Sequence, residues 1–191
     1  LENHLKSLVN QPESPARNTV VVAGGGFTGI ETATEMPTRL RAILGDRADI
    51  NVIIVDRGNK VGGSMWPQIA EKIAEASTET GVKWHLNASV VAVDEQGVTL
   101  SDGQRIEAST VVWTTGVRAS SLTEQIPAER DHLGRLHVDA HLKVIGLDDV
   151  YATGDVAYAA TDDMGNHALM TCQHAIVLGR HAGNNVAAQI L

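Results

Sequence analysis

The stretch Gly24-Gly25-Gly26-Phe27-Thr28-Gly29 directly follows a β-branched run, residues 19–23, and directly precedes an amphipathic segment. Few local patterns restrict a fold as strongly. Thr19, Val20, Val21, Val22 and Ala23 suit a strand buried on both faces, and the chain must then turn at once. Beyond the turn, Ile30, Ala33, Pro37, Leu40 and Leu44 recur at spacings of three and four, which predicts a helix ending near Gly45. Pro37 predicts a kink or break within it, since proline removes one backbone hydrogen bond and crowds the preceding turn. Gly24, Gly26 and Gly29 thus spell G-x-G-x-x-G between a strand and a helix, the setting in which each glycine has a mechanical task. The first permits the turn and the second lets backbone approach a pyrophosphate. The third lets the helix pack closely on its strand, with free amides facing the anion. Glycine turns also join strands to helices where no ligand binds, so the following elements must decide.

Residues 50–56 predict a second buried strand and residues 68–81 a second helix, making a strand-helix-strand-helix unit with a parallel sheet. Asp56 ends that second strand, where a carboxylate can accept hydrogen bonds from both hydroxyls of an adenine ribose and would repel a 2'-phosphate. This favours NADH over NADPH, with the neighbouring Arg57 as the one residue able to pair with a 2'-phosphate. Short alternating runs at 89–93, 98–101 and 105–107, divided by Glu95-Gln96-Gly97 and Asp102-Gly103, predict an antiparallel meander. Residues 111–114 predict a further buried strand. After Gly116 loops and short strands follow, clearest at 135–139 and 150–152, and a closing helix carries Leu178, Ala182, Val186 and Ile190. The first nine residues predict part of an amphipathic helix, and residues 11–18, with Pro12 and Pro15, a linker.

Fifteen basic and 23 acidic residues in 191 give a net charge of -8, which argues against a surface for nucleic acid. A single cysteine, Cys172, excludes an intrachain disulfide and a dithiol relay within the chain, and is most simply a small buried hydrophobe. No segment approaches the roughly 18 apolar residues that span a bilayer. His132, His137 and His141 invite a metal reading, but on an extended strand the last two stand roughly 13 Å apart, so no metal site is expected. Asp162 and Asp163 suit a solvated turn.

Three ordered motifs resemble one family: V-V-A-G-G-G-F-T-G-I-E ending at Glu31, V-V-W-T-T-G-V-R ending at Arg118, and Y-A-T-G-D ending at Asp155. They are similar to the flavoproteins with two dinucleotide-binding domains, most of all to type II NADH dehydrogenases. The resemblance implies an α/β fold with a Rossmann-like NAD(H)-binding domain and its meander at 19–117, and the C-terminal half of an FAD-binding domain at 118–191. Residues 1–18 would be a lead-in from the FAD domain, whose first half, with its own glycine fingerprint, would belong to a longer parent chain. By the same resemblance Gly24, Gly26, Phe27, Thr28, Gly29 and Asp56 would hold the nucleotide. Thr115 and Gly116 would lie close to both cofactors. Gly154 and Asp155 would contact FAD, with Asp155 a buried carboxylate on the ribityl or phosphate region, and Gln173 would be a further cofactor-binding residue. Glu31, placed in the first helical turn, would be the catalytic acid beside the nicotinamide; without the resemblance it is an acid interacting with a helix dipole.

The activity so implied is FAD-dependent oxidation of NADH, with electrons passed to an acceptor. Quinone-reducing relatives carry two glutamines near the start of the last helix. Here Cys172, Gln173, His174, Ala175 and Ile176 supply only the first, with Ile176 in the second's place, which leaves quinone, oxygen or a partner protein open as acceptor. The resemblance is compatible with the cytoplasm or the inner face of a membrane, with peripheral attachment of the parent, and with a homodimer. The alternative from another class is a module or truncated piece that binds NAD(H) without turnover. A dehydrogenase working without flavin would need an acid or base set such as Ser-Tyr-Lys, and none stands out.

Overall fold

The computed structural model describes residues 1–63, 65 and 67–191, in two compact units, Leu1–Gly116 and Val117–Leu191. In the first, β1 (Thr19–Ala23) lies between β2 (Asn51–Val55) and β7 (Thr110–Trp113), with β3 (Val82–His85) outside β2. All four strands are parallel. Every residue of β1 is buried, because each face of the sheet is covered by a different layer.

One face carries α3 (Phe27–Leu44), whose Ala33, Met36 and Leu40 pack on Val20, Val22, Val52 and Ile54. Leu5, from α1 (Glu2–Ser7), and Leu8 join that cluster and are almost completely buried. The opposite face is covered by the expected antiparallel meander of β4 (Val90–Asp94), β5 (Gly97–Leu100) and β6 (Arg105–Glu107). Val98, Leu100, Ala88 and Ala108 pack there against Val21 and Val55. Alternate residues of one strand therefore build two separate cores, as the pleat requires.

Three local expectations need correction. Helix α3 runs through Pro37 without a break. Buried Ala33, Met36 and Leu40 on both sides of the proline tie both halves to the sheet, and each large side chain so buried contributes about 2 kcal/mol, enough together to offset the lost bond. The stretch expected as a linker contains α2 (Pro15–Asn18), with Pro15 at the first helical position and the Ser14 hydroxyl accepting from the Arg17 amide at 3.1 Å. Strand β3 was not foreseen, since Val-Lys-Trp-His holds only one aliphatic residue; it pairs as an edge strand, where such a sequence is tolerated. Helix α4 (Pro67–Thr80) precedes it, as the spacing predicts.

The second unit has little regular structure. Strand β8 (Leu136–His137) runs parallel to β9 (Ala157–Tyr158), and the expected strands at 135–139 and 150–152 otherwise reduce to isolated bridges, Val138 with Val144 and Lys143 with Tyr151. Helix α5 (Cys172–Ile190) starts at Thr171, whose hydroxyl accepts from the His174 amide at 3.3 Å. Ala182 is buried and Leu178 packs beside it, but Ile190 is 78% exposed, so the apolar stripe covers only the first part of the helix. Among the described residues no helix is long and apolar enough to cross a membrane.

An ion pair organises this unit. The buried Arg135 donates from Nε to Asp131 Oδ2 at 2.8 Å and from Nη1 to the Ala168 carbonyl at 3.1 Å, while its guanidinium carbon lies 4.7 Å from the centre of the Tyr158 ring. Burial alone would raise the Asp131 carboxyl. The Arg135 hydrogen bond and charge, with the backbone amides of Arg135 and Leu133, outweigh it and hold the group below the usual aspartate value. Arg135→Ala leaves a little-exposed carboxylate without its cation and is expected to lower the stability of this unit by about 3 kcal/mol, read from urea unfolding. Because the folded group titrates below the unfolded one, the contribution is full above about pH 4 and is lost as pH falls through the folded value. Acid unfolding of an Asp131→Asn variant should therefore depend less steeply on pH.

Candidate functional site

The parallel sheet fixes the site at the carboxyl ends of its strands. Neighbouring strands lie about 4.8 Å apart, so β2 and β7 flank β1 at a separation of roughly 10 Å. At Ala23 the chain leaves the sheet toward α3 and opens a gap between its two neighbours. This is the point at which open α/β sheets accept ligands. A cleft of about 400 Å³ occupies it, walled by residues 24–26, Val55, Asp56, Arg57, residues 88–90 and residues 113–116. A larger concavity of about 640 Å³ in the second unit is walled by Pro127, Ala128, Glu129, Arg130, His137 and Ile145. It has neither a helix N-terminus nor a glycine turn, so its size alone identifies nothing.

The glycines divide their tasks as the spacing predicts. Gly24 has a φ of +107°, a left-handed conformation that favours glycine, and a Cβ there would lie 3.0 Å from Thr114 Oγ1. A Cβ on Gly29 would collide with the Gly24 carbonyl oxygen, so this glycine permits the start of α3 to pack against the turn. Gly26, the exposed N-cap of α3, has none of the described residues within 4 Å of where its Cβ would be. That open space lies before the unpaired amides of an 18-residue helix, where an anion is stabilised.

Asp56 is held from two sides: Oδ2 accepts from the Gly25 amide and Oδ1 from the Gly58 amide, both at 2.7 Å. Each oxygen keeps a second acceptor position, and Asp56 lines the cleft. The half-buried Trp84 supports the same turn from behind: its Nε1 donates to Ser77 Oγ at 3.0 Å, and a Cβ on Gly25 would meet Cζ3 of its ring at 2.6 Å. Thr114 closes the other side, its hydroxyl donating to the Ala23 carbonyl at 2.7 Å, with the Gly24 carbonyl at 3.1 Å. Sequence reading missed the parts played by Trp84 and Thr114, because both act on the backbone of the turn: Trp84 lies outside the quoted motifs, and Thr114, though within V-V-W-T-T-G-V-R, was given no task there.

The remaining expected site residues are scattered. Thr115 and Gly116 line the cleft. Phe27 and Thr28 are exposed at the start of α3, Phe27 by 58%. Glu31 is exposed at the fifth helical position, past the first turn in which the sequence placed it, because the helix begins only at Phe27, and it is not among the cleft's lining residues. In the second unit Gly154 has a φ of +66°, in a 3-10 turn (Gly154–Val156) packed on the start of α5, and a Cβ there would lie 3.4 Å from that of Ala175. Asp155 is exposed on this turn, not buried as expected, since the turn projects it away from the core. Gln173 is exposed in the first turn of α5. Cys172 is likewise exposed, correcting its assignment as a buried hydrophobe: it is the first helical residue after the Thr171 cap and lies outside the packed stripe. Thr153 Oγ1, one residue before Gly154, is buried and has no hydrogen-bond partner among the described residues.

Gly29→Ala and Gly26→Ala should separate packing from binding. The first is expected to lower stability by about 3 kcal/mol or more, since backbone must move. The second should leave the thermal midpoint within about 2 °C while weakening anion binding at the helix N-terminus, as followed by differential scanning fluorimetry and calorimetric titration.

Comparison with known proteins gives this geometry a lineage. Residues 3–179 match the family described as pyridine nucleotide-disulphide oxidoreductase. An NADH dehydrogenase-like protein of Mycobacterium tuberculosis is 47% identical over 188 residues, which is 97% of this chain and 47% of that protein. A type II NADH:quinone oxidoreductase of Staphylococcus saprophyticus is 26% identical over 174 residues, 87% of this chain and 43% of that protein. The chain thus spans less than half the length of these relatives. Among solved structures, an NAD-dependent persulfide reductase from A. fulgidus superposes with a TM-score of 0.71 at 23% identity, covering 88% of this chain and 31% of that one, and shares the fold. The glycine turn and the acid that braces it therefore stand in an inherited framework, and the chain belongs to the pyridine nucleotide-disulphide oxidoreductase family.

Proposed function

We propose that this chain supplies the NADH-binding unit, and part of the flavin-binding unit, of an FAD-dependent NADH oxidoreductase. The observation that carries the reading is a single cleft lined both by the braced Asp56 carboxylate and by Gly26, the N-cap of α3. Family membership implies FAD and NAD(H) as cofactors. When bound, FAD would supply the redox chemistry that links NADH oxidation to an acceptor.

The residues fit both groups. In the first unit the amides at the start of α3 would bind the pyrophosphate, and Asp56 would accept both ribose hydroxyls with the lone pairs its two backbone donors leave free. Thr115 and Gly116 would border the bound nucleotide, and Phe27, Thr28 and Glu31 would face its nicotinamide half from the first two turns of α3. In the second unit the partnerless hydroxyl of Thr153, the left-handed Gly154 and the exposed Asp155 form a polar turn at the head of α5, suited to a hydroxyl-rich and phosphate-bearing ligand. Gln173 lies within the first turn of that helix. This protein's part is to hold reactants in line and to exclude water.

Two observations bear on the acceptor. Relatives named for quinone reduction favour a quinone. The lone Gln173, with Ile176 in the second glutamine's place, favours another acceptor. Steady-state NADH oxidation by the flavin-bound protein with a soluble quinone, ferricyanide or oxygen distinguishes these.

Calorimetric titration with NADH and NADPH, after a visible spectrum of the same sample, tests the proposal. The expected result is NADH binding at least tenfold tighter than NADPH, and a loss of NADH affinity in Asp56→Ala. A tenfold preference for NADPH, or no binding of either nucleotide, would overturn the assignment of the cleft.

A further inference from the structure

We infer that a polar concavity at the amino ends of β1, β2 and β3 is a second ligand site, which takes a small molecule bearing both a carboxylate and ammonium groups, as a free basic amino acid does. It is separate from the cleft. Thr19 borders this concavity and Ala23 precedes the cleft, about 13 Å farther along β1. Thr19 opens β1 and pairs in register with Asn51, which opens β2, while Lys83 on β3 pairs with Ile53. All three side chains therefore stand on the sheet face that carries Val21 and Ile53. They form a polar row across three strands. Lys83 Nζ donates to Asn51 Oδ1 at 2.9 Å, Asn51 Nδ2 to Thr19 Oγ1 at 3.4 Å, and the Thr19 hydroxyl to the Pro15 carbonyl at 2.8 Å.

The concavity measures about 440 Å³ and is walled by residues 13–15 and 18–19, Asp49, Asn51 and Lys83. Its size is that of a small-molecule site, and every wall residue except Pro15 has a polar side chain, so the ligand it fits is polar. The decisive residue is Asn18, which is only 4% exposed. Its Oδ1 accepts from Arg17 Nε at 3.0 Å, while its amide nitrogen has no hydrogen-bond partner among the described residues. A carboxamide so deeply placed calls for an acceptor, and the concavity it lines has room for one. Lys83 is exposed in the same wall and keeps two of its three donors after bonding Asn51. An ammonium and an amide that both lack acceptors suit a carboxylate. The other charged groups of the wall, Asp49 and Glu13, are exposed acids, and Glu13 has only a long pairing with Arg17, at 3.9 Å. One cation set against two anions is complemented by a ligand with one carboxylate and two ammonium groups, the charges of free lysine.

Calorimetric titration with L-lysine tests the site, with acetate and butylamine as fragments that each carry one kind of charge. L-lysine should bind at one site per chain, about tenfold or more tightly than either fragment. Lys83→Met and Asp49→Asn change exposed side chains, and each should weaken lysine about fivefold or more while leaving the thermal midpoint of the free chain within about 2 °C. Asn18→Asp keeps the shape of the side chain but sets a carboxylate against that of the ligand, and should abolish binding. If that variant does not fold, the two surface variants decide. The inference is overturned if L-lysine does not bind, if a fragment binds as tightly, or if neither surface variant alters its affinity. NADH titrated into the same samples reads the cleft alone, so failure there rejects the nucleotide assignment and leaves this one to the lysine result.

Discussion

The Asp56 carboxylate, held by the amides of Gly25 and Gly58, is the contact on which the site depends. It fastens the end of β2 to the turn that follows β1, so two strands that pair along their length are also locked at their tips. Around it the backbone forms a continuous ladder: Gly24 donates to Val55, Asp56 to His85, Ala88 back to Asp56, and Thr114 to Ala23. Charge-assisted bonds of this kind are roughly twice as strong as neutral ones, and here they involve no mobile side chain except the carboxylate itself. The cleft is therefore formed before any ligand arrives. A preformed site lowers the ordering cost of binding.

That rigidity is built from two independent cores. Val20 and Val22 face α3 while Val21 faces the meander, and the sheet between them cannot shift toward one layer without losing contact with the other. The second unit is organised on a different principle. Its buried core is largely alanine, with Leu136, Leu142 and Val144, and beside it Arg135 joins Asp131, the Ala168 carbonyl and the Tyr158 ring. Small side chains bury little area each, and a buried ion pair is costly to break once formed, because removing one partner strands the other's charge.

How much of this was legible in the sequence follows from the same contrast. The β1 turn, α3, β2 and the meander are all readable, because periodicity and glycine placement are local and the layers they imply agree. The acid at position 56 was recognisable by position, but its grip on Gly25 and Gly58 was not, since that depends on how two strands come together. Strand β3 and the brace from Trp84 escaped for a related reason: an edge strand needs no apolar pattern, and an indole that supports backbone leaves no motif. In the second unit, Asp155 and Cys172 were expected to be buried and are exposed. Their residue types carry an average preference for one side or the other, whereas a turn and a helix start decide exposure by geometry. The uninterrupted passage of α3 through Pro37 is a similar case, in which packing outweighs local propensity.

The two glycines at either end of the α3 entry carry different kinds of information. At Gly29 the obstacle to any side chain is the chain's own backbone, so the residue records how tightly the turn is wound and would be required of a protein that had abandoned nucleotides altogether. At Gly26 the folded chain raises no objection to a methyl group, because the space is open. A glycine kept at that position in a diverging lineage is a trace of what occupies the space, and its replacement would be an early sign that the ligand had been lost while the architecture endured.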